Sequence, residues 1–154
     1  MERLTFALLA GLLISGPSLA QQSLVGTYKM VSQVREVKGK GPEENMGKSP
    51  RGHMMISPTH MVVFYTAESR KPGTSVAEKA ALYDTLNGWS GRYRVEGSKL
   101  ILTVEANRTE TNMPSDVRNF AWSGKRLTTT TESRSSGSDP SQTVVVRQVW
   151  EKLE

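Results

Sequence analysis

The sequence predicts an all-β protein: a sandwich or barrel of eight strands, with one short α-helix between strands 3 and 4. Three observations lead there. Past the first twenty residues, most segments are short, rich in Val, Thr, Tyr and Met, and separated by Gly, Pro, Ser or Asn, as in a sandwich or barrel. Three two-residue connections, Pro58-Thr59, Gly97-Ser98 and Gly124-Lys125, sit between alternating runs as hairpin loops do. One segment, Thr74 to Leu86, breaks the pattern with helical spacing.

The strands are expected at about 25–36, 51–57, 60–67, 89–96, 99–107, 116–123, 126–133 and 143–151. Taken literally, the hairpin loops set the registers. Ile56 then faces Met61 and Met54 faces Val63, Val95 faces Leu100 and Tyr93 faces Leu102, and Trp122, Phe120 and Arg118 face Leu127, Thr129 and Thr131. On strand one, Tyr28, Met30, Ser32 and Val34 alternate with Lys29, Val31, Gln33 and Arg35. Each strand has one more apolar side, as the interior of a barrel requires.

Between strands 3 and 4, Val76, Ala80 and Tyr83 fall at helical spacing, with Leu82 and Leu86 alongside. Ser75 and Glu78 form a capping box, and Gly88 supplies a stop. Lys38 to Lys48 and Ser133 to Gln142 are rich in Gly, Ser, Pro and charge, and are expected as loops.

The first twenty residues have the layout of a secretory signal. Arg3 gives a basic start, Leu4 to Ile14 an apolar run, and Ser18-Leu19-Ala20 a cleavage site before Gln21. The run is short for a membrane span. Residues 1–20 are therefore expected as a signal peptide and 21–154 as one barrel domain, exported to a periplasm or secreted, with no transmembrane segment in the mature chain. Removal of 20 residues from 154 leaves 134, enough for one modest core. The absence of cysteine excludes disulfides, thiol catalysis and thiolate metal sites. The net charge is +5, but the basic residues are scattered singly, without the dense run that a nucleic-acid footprint needs.

Leu24-Val25-Gly26-Thr27-Tyr28-Lys29-Met30-Val31-Ser32 resembles the opening "L-x-G-x-[WY]-x-L-x-S" of bacterial and fungal lipocalin-like domain proteins. Ser49 to Met61 resembles the hairpin of the same family, and Ser90-Gly91-Arg92-Tyr93-Arg94-Val95, Arg126-Leu127-Thr128 and Trp150-Glu151-Lys152 continue the likeness over nearly all of 24–152. The resemblance implies an eight-stranded antiparallel up-and-down barrel of the calycin type, closed by pairing its last strand with its first. Tyr28 stands where secreted lipocalins carry Trp, and Thr59-His60 stands where the hairpin carries "D-G". The family supplies no catalytic residue to carry over; cyclase or isomerase roles have been suggested for some members.

The expected interior is lined by Met30, Met54, Met61, Tyr65, Tyr93, Leu102, Phe120 and Trp122, with Arg118 one step nearer the open end. A barrel of eight strands is filled by side chains or holds one small ligand. Methionines favour a permissive apolar pocket, and the guanidinium of Arg118 matches a ligand carboxylate. His53, Met54, Met55, His60 and Met61 invite a copper reading, but His53, Met55 and His60 share one face and the other two methionines the opposite one. Tyr93 or Tyr65 with Glu105 would make an acid–base pair, yet Glu105 falls outward. No cofactor and no metal are expected. The leading reading is an exported binder of a small apolar or amphipathic molecule. The alternatives are a barrel cyclase or isomerase, and an interaction domain with a solid core.

Overall fold

The computed structural model describes residues 23–109, 115–131, 134–135 and 141–154. The expected signal segment lies outside them. Among the described residues ten strands form one sheet: β1 (Gly26–Val37), β2 (Pro42–Glu43), β3 (Arg51–Ile56), β4 (His60–Thr66), β5 (Leu86–Glu96), β6 (Lys99–Asn107), β7 (Asp116–Ser123), β8 (Arg126–Thr131), β9 (Arg134–Ser135) and β10 (Thr143–Lys152). Helix α1 (Val76–Asp84) lies between β4 and β5.

Eight of the strands, β1-β3-β4-β5-β6-β7-β8-β10, follow one another antiparallel, and β10 pairs with β1 to close the barrel. The two-residue strands β2 and β9 extend β1 and β10 at their edges. They arise within the two stretches expected as loops. The added β2 corrects the expected helix position: α1 follows the fourth strand in chain order, not the third, because Pro42–Glu43 pairs with Arg35 and Glu36.

The hairpin registers are those of two-residue loops. Ile56 pairs with Met61, Val95 with Leu100 and Trp122 with Leu127. Gly97 and Gly124 take φ of +60° and +58°, with a non-glycine residue of negative φ after each. A positive φ at the first loop residue alone matches the twist of the flanking strands in the manner of a II′ turn. The Pro58-Thr59 loop has no such residue and is closed by the amide of Ser57 donating to the carbonyl of His60 at 2.9 Å.

Two bulges alter the alternation. Met30 pairs with Trp150 but Ser32 with Val149, so Val31 is an extra residue on β1. Tyr28 and Met30 point inward before it; Gln33 and Val37 are buried after it. The expected inward run through Ser32 and Val34 is thereby corrected, because one inserted residue reverses the phase of a strand. The second bulge lies on β6, where Val104 pairs with Gly91 and Ala106 with Ser90, leaving Glu105 as the extra residue. A Cβ on Gly91 would meet the carbonyl oxygen of Thr103 at 2.1 Å, so this crowded position accepts only glycine without a shift.

All three short hairpins and the described chain ends lie at one end of the barrel. Its interior there is packed with Tyr28, Met54, Met61, Leu100, Leu102, Leu127 and Trp150, all buried. Burying each such side chain contributes about 1.5–3 kcal/mol. Lys152 caps this end, its Nζ 5.9 Å from the Tyr28 ring and 6.0 Å from the Trp122 ring while donating to the carbonyl of Ser23 at 3.0 Å. Helix α1 buries no residue. Its capping box is formed by Ser75 and Glu78, and its C-cap is Thr85; Gly88, expected as its stop, belongs to β5. The apolar spacing of Val76 and Tyr83 serves no core contact, since both are exposed. Among the described residues no helix is long and apolar enough to cross a membrane.

Candidate functional site

The end opposite the hairpins, from which α1 and the longer connections leave, holds a cavity of about 270 Å³. Its inner wall is made by Gln33 (β1), Tyr65 (β4), Trp89 (β5), Asp116 and Arg118 (β7), Thr131 (β8) and Gln148 (β10). Of these, Gln33, Tyr65, Asp116, Thr131 and Gln148 are buried. Arg35, Asn45, Asp84, Asn107 and Arg108 surround them nearer the solvent, with Met46, Val104 and Val146 as the apolar part of the lining. The polarity follows from the backbone. The bulge at Val31 turns Gln33 and Arg35 to the interior, and the bulge at Glu105 turns Asn107 the same way.

A buried polar group must be hydrogen-bonded or it costs about 1–3 kcal/mol. Here the groups satisfy one another in a chain that crosses the barrel. Nε2 of Gln148 donates to Oε1 of Gln33 at 2.8 Å and to Oη of Tyr65 at 3.0 Å. Nε2 of Gln33 donates to Oδ1 of Asn45 at 3.2 Å. Nη1 of Arg118 donates to Oε1 of Gln148 at 3.0 Å, while its Nε and Nη2 reach Oδ2 of Asp116 at 2.8 and 2.7 Å. The same guanidinium lies over the Trp89 ring, 5.1 Å from its centroid. With side chains 11% and 3% exposed, Arg118 and Asp116 form a buried pair. Removing one member of such a pair costs about 3–5 kcal/mol, so the pair is a fixed part of the wall.

The match of residues 25–153 to the lipocalin-like domain family covers most of the chain. The chain belongs to that family. Comparison with curated proteins and with solved structures yields no match. For this lipocalin-like chain, then, the closed barrel and the family agree on a fold that suggests small-molecule binding.

The structure divides the expected pocket residues into two groups. Tyr65 and Arg118 line the cavity. Met30, Met54, Met61, Leu102 and Phe120 belong to the packed core beneath it, and Tyr93 and Trp122 pack against that core half-buried. Oη of Tyr93 donates to the carbonyl of Ser57 at 2.9 Å, at the closed end, and burial raises the pKa of its phenol. Arg118 is already engaged by Asp116, so its fork does not face the cavity as a vacant carboxylate clamp. Glu105 lies outward and pairs with Nε of Arg92 at 2.7 Å. His53, Met55 and His60 are exposed on the outer face, whereas Met54 and Met61 are buried inside. Among the described residues no three His, Asp or Glu side chains converge on a metal position.

Sequence reasoning passed over Gln33, Trp89, Asp116, Thr131 and Gln148 as site residues. Alternation alone places Asp116 on the face of Arg118 and Phe120, Trp89 on that of Gly91 and Tyr93, and Gln148 on that of Trp150. Those three were findable. Gln33 depends on a bulge that no residue type announces.

Proposed function

We propose that this protein holds one small amphipathic molecule in the open end of its barrel, polar end inward, after export to a bacterial periplasm and cleavage near Ala20/Gln21. The observation that carries the binding reading is the cavity of about 270 Å³ floored by the Gln33–Gln148–Arg118 network. Its size lies just below the range of about 300–1,000 Å³ usual for drug-sized ligands, which suits a small occupant. Placing buried hydrogen-bonding groups deepest, with Trp89, Val104, Val146 and Met46 around them, supports a molecule that enters polar end first. Export is supported by the basic start, apolar run and small-residue cleavage site of residues 1–20.

Native mass spectrometry of the protein purified from its own host tests both parts. A polypeptide beginning at Gln21 with a small co-purifying mass is the expected result. A full-length chain in the cytoplasm would count against export. A protein that carries no adduct and takes none up from a panel of small amphiphiles would sink the binding reading.

A cyclase or isomerase is the second reading, favoured by the Asp116–Arg118 pair and the Tyr65 hydroxyl in the same cavity. Isomerisation leaves mass unchanged, so chromatographic retention of the co-purified molecule before and after incubation separates the two. Unaltered retention favours carriage.

A further inference from the structure

Among the described residues three guanidinium groups, those of Arg35, Arg108 and Arg118, line the cavity, and this invites an anionic ligand. Their surroundings point elsewhere. Arg118 is held by Asp116 through two nitrogens and by Gln148 through the third. Arg35 has a carboxylate oxygen of Glu43 4.0 Å away. Arg108 donates to the carbonyl of Tyr83 at 2.7 Å and lies over the Tyr83 ring, and Asp84 shares its stretch of the lining. Each cation thus sits with an acidic residue or a carbonyl. A carboxylate or phosphate brought to the inner wall would have to displace Asp116 or stand beside it.

The rest of the polar lining is uncharged and two-sided. Gln33, Asn45, Asn87, Asn107 and Gln148 are all carboxamides, each with a donor edge and an acceptor edge. Two of them, Gln33 and Gln148, are buried and fixed by the chain of bonds from Asn45 to Arg118. Such a wall suits a group that donates and accepts at once.

We infer that the polar end of the ligand is uncharged, a primary amide, a diol or a group of like hydrogen-bonding capacity, and not a carboxylate or phosphate. This rests on the small-molecule reading above and names the chemistry of the end that meets Gln33, Gln148 and Arg118. Desolvating a charge with no partner outweighs what a neutral, hydrogen-bonded group loses on burial. The ion pair in the wall therefore acts as a filter, cancelling the cation that, among the described residues, lies deep enough to reward an anion.

The test uses a matched pair of probes, hexanamide and hexanoate, which share a tail and differ in charge. The readout is the indole N–H resonance of Trp89, assigned with Trp89→Phe, with Trp122 and Trp150 as references outside the cavity. Hexanamide is expected to bind about tenfold more tightly than hexanoate at neutral pH. Equal or tighter binding of hexanoate overturns the assignment of charge while leaving small-molecule binding intact. Failure of both probes to move Trp89 overturns the assignment and the binding reading together. Asp116→Asn uncovers the guanidinium and is expected to reverse the preference; an unchanged ratio in the folded variant overturns the inference. The unmodified protein provides a second measurement. Hexanoate affinity is expected to rise about fivefold as its own carboxyl is protonated between pH 7 and about pH 4, and a flat or falling affinity overturns the inference.

Discussion

Nε and Nη2 of Arg118 both reach a single oxygen of Asp116, Oδ2, at 2.8 and 2.7 Å, inside the barrel. The two residues stand two apart on β7, so strand alternation puts both on the inward face. A cation that would otherwise draw anions into the cavity is in this way neutralised by its own strand, and its remaining nitrogen is turned onto Gln148.

Because the pair is buried, the two charges depend on each other. Arg118→Ala and Asp116→Ala are each expected to lower unfolding free energy by about 3–5 kcal/mol, while the double variant Asp116→Ala/Arg118→Ala loses much less than their sum. Urea denaturation of the four proteins measures the coupling. Additive losses would show that the pair has no mutual dependence.

Gln148 is the hub of the network, donating to Gln33 and Tyr65 and accepting from Arg118. Gln148→Leu preserves volume but leaves those groups without this partner, at an expected cost of about 1–3 kcal/mol. A fall of the denaturation midpoint, with an unchanged denaturant slope, is the predicted signature. A midpoint at or above the parent's would show that the network does not hold the wall.

At the closed end, burial and the neighbouring Tyr93 push the pKa of Tyr28 from 10.0 up to about 12. Its hydroxyl donates to the carbonyl of Leu24 at 2.5 Å. The folded state retains this proton longer than the unfolded chain, so the unfolded chain binds fewer protons above pH 10 and stability falls as pH rises from 10 to about 12. Below pH 10 the contribution is fully present. Tyr28→Phe should flatten that part of the stability profile, measured as the denaturation midpoint against pH.

Helix α1 has no buried residue, so its caps matter more than its face. Glu78 accepts from the amides of Thr74 and Ser75 and from their hydroxyls, which lowers its pKa from 4.5 to about 2, the Ser75 amide being the largest cause. For a depressed carboxylate the contribution is full above pH 4.5 and is lost as pH falls towards 2. Ser75→Ala is expected to destabilise the helix by about 1 kcal/mol. Amide hydrogen exchange over 76–84 should speed up in that variant while the β10 amides stay protected; uniform acceleration would tie the helix to the barrel's global unfolding.

Much of the barrel was legible in the order of residues. Gly97-Ser98 and Gly124-Lys125 between alternating runs set their hairpins, and the resulting pairs Tyr93–Leu102 and Phe120–Thr129 are the observed ones. These are local facts: a tight loop allows few registers, and a period of two assigns each face. Of the apolar residues expected to line a pocket, Met30, Met54, Met61, Leu102 and Phe120 fill the interior where the hairpins close it, and Tyr93 and Trp122 pack against them half-buried. Alternation tells inside from outside. It does not tell packed from hollow, because that depends on the summed volumes of side chains from strands distant in sequence.

By itself, then, the sequence determined the eight-stranded sheet, its hairpin registers, the capped helix and the inward face of Arg118. The tertiary structure decided where the void lies and what lines it. Val31 and Glu105 each add one residue against a partner strand, an irregularity that exists only in the pairing of β1 with β10 and of β5 with β6. That pairing turns Gln33 into the barrel beside Gln148, 115 residues away in sequence, and brings Arg118 onto Trp89. A buried amide is stable only where another element completes its hydrogen bonds, so the polar end of this barrel is a property of the assembled strands.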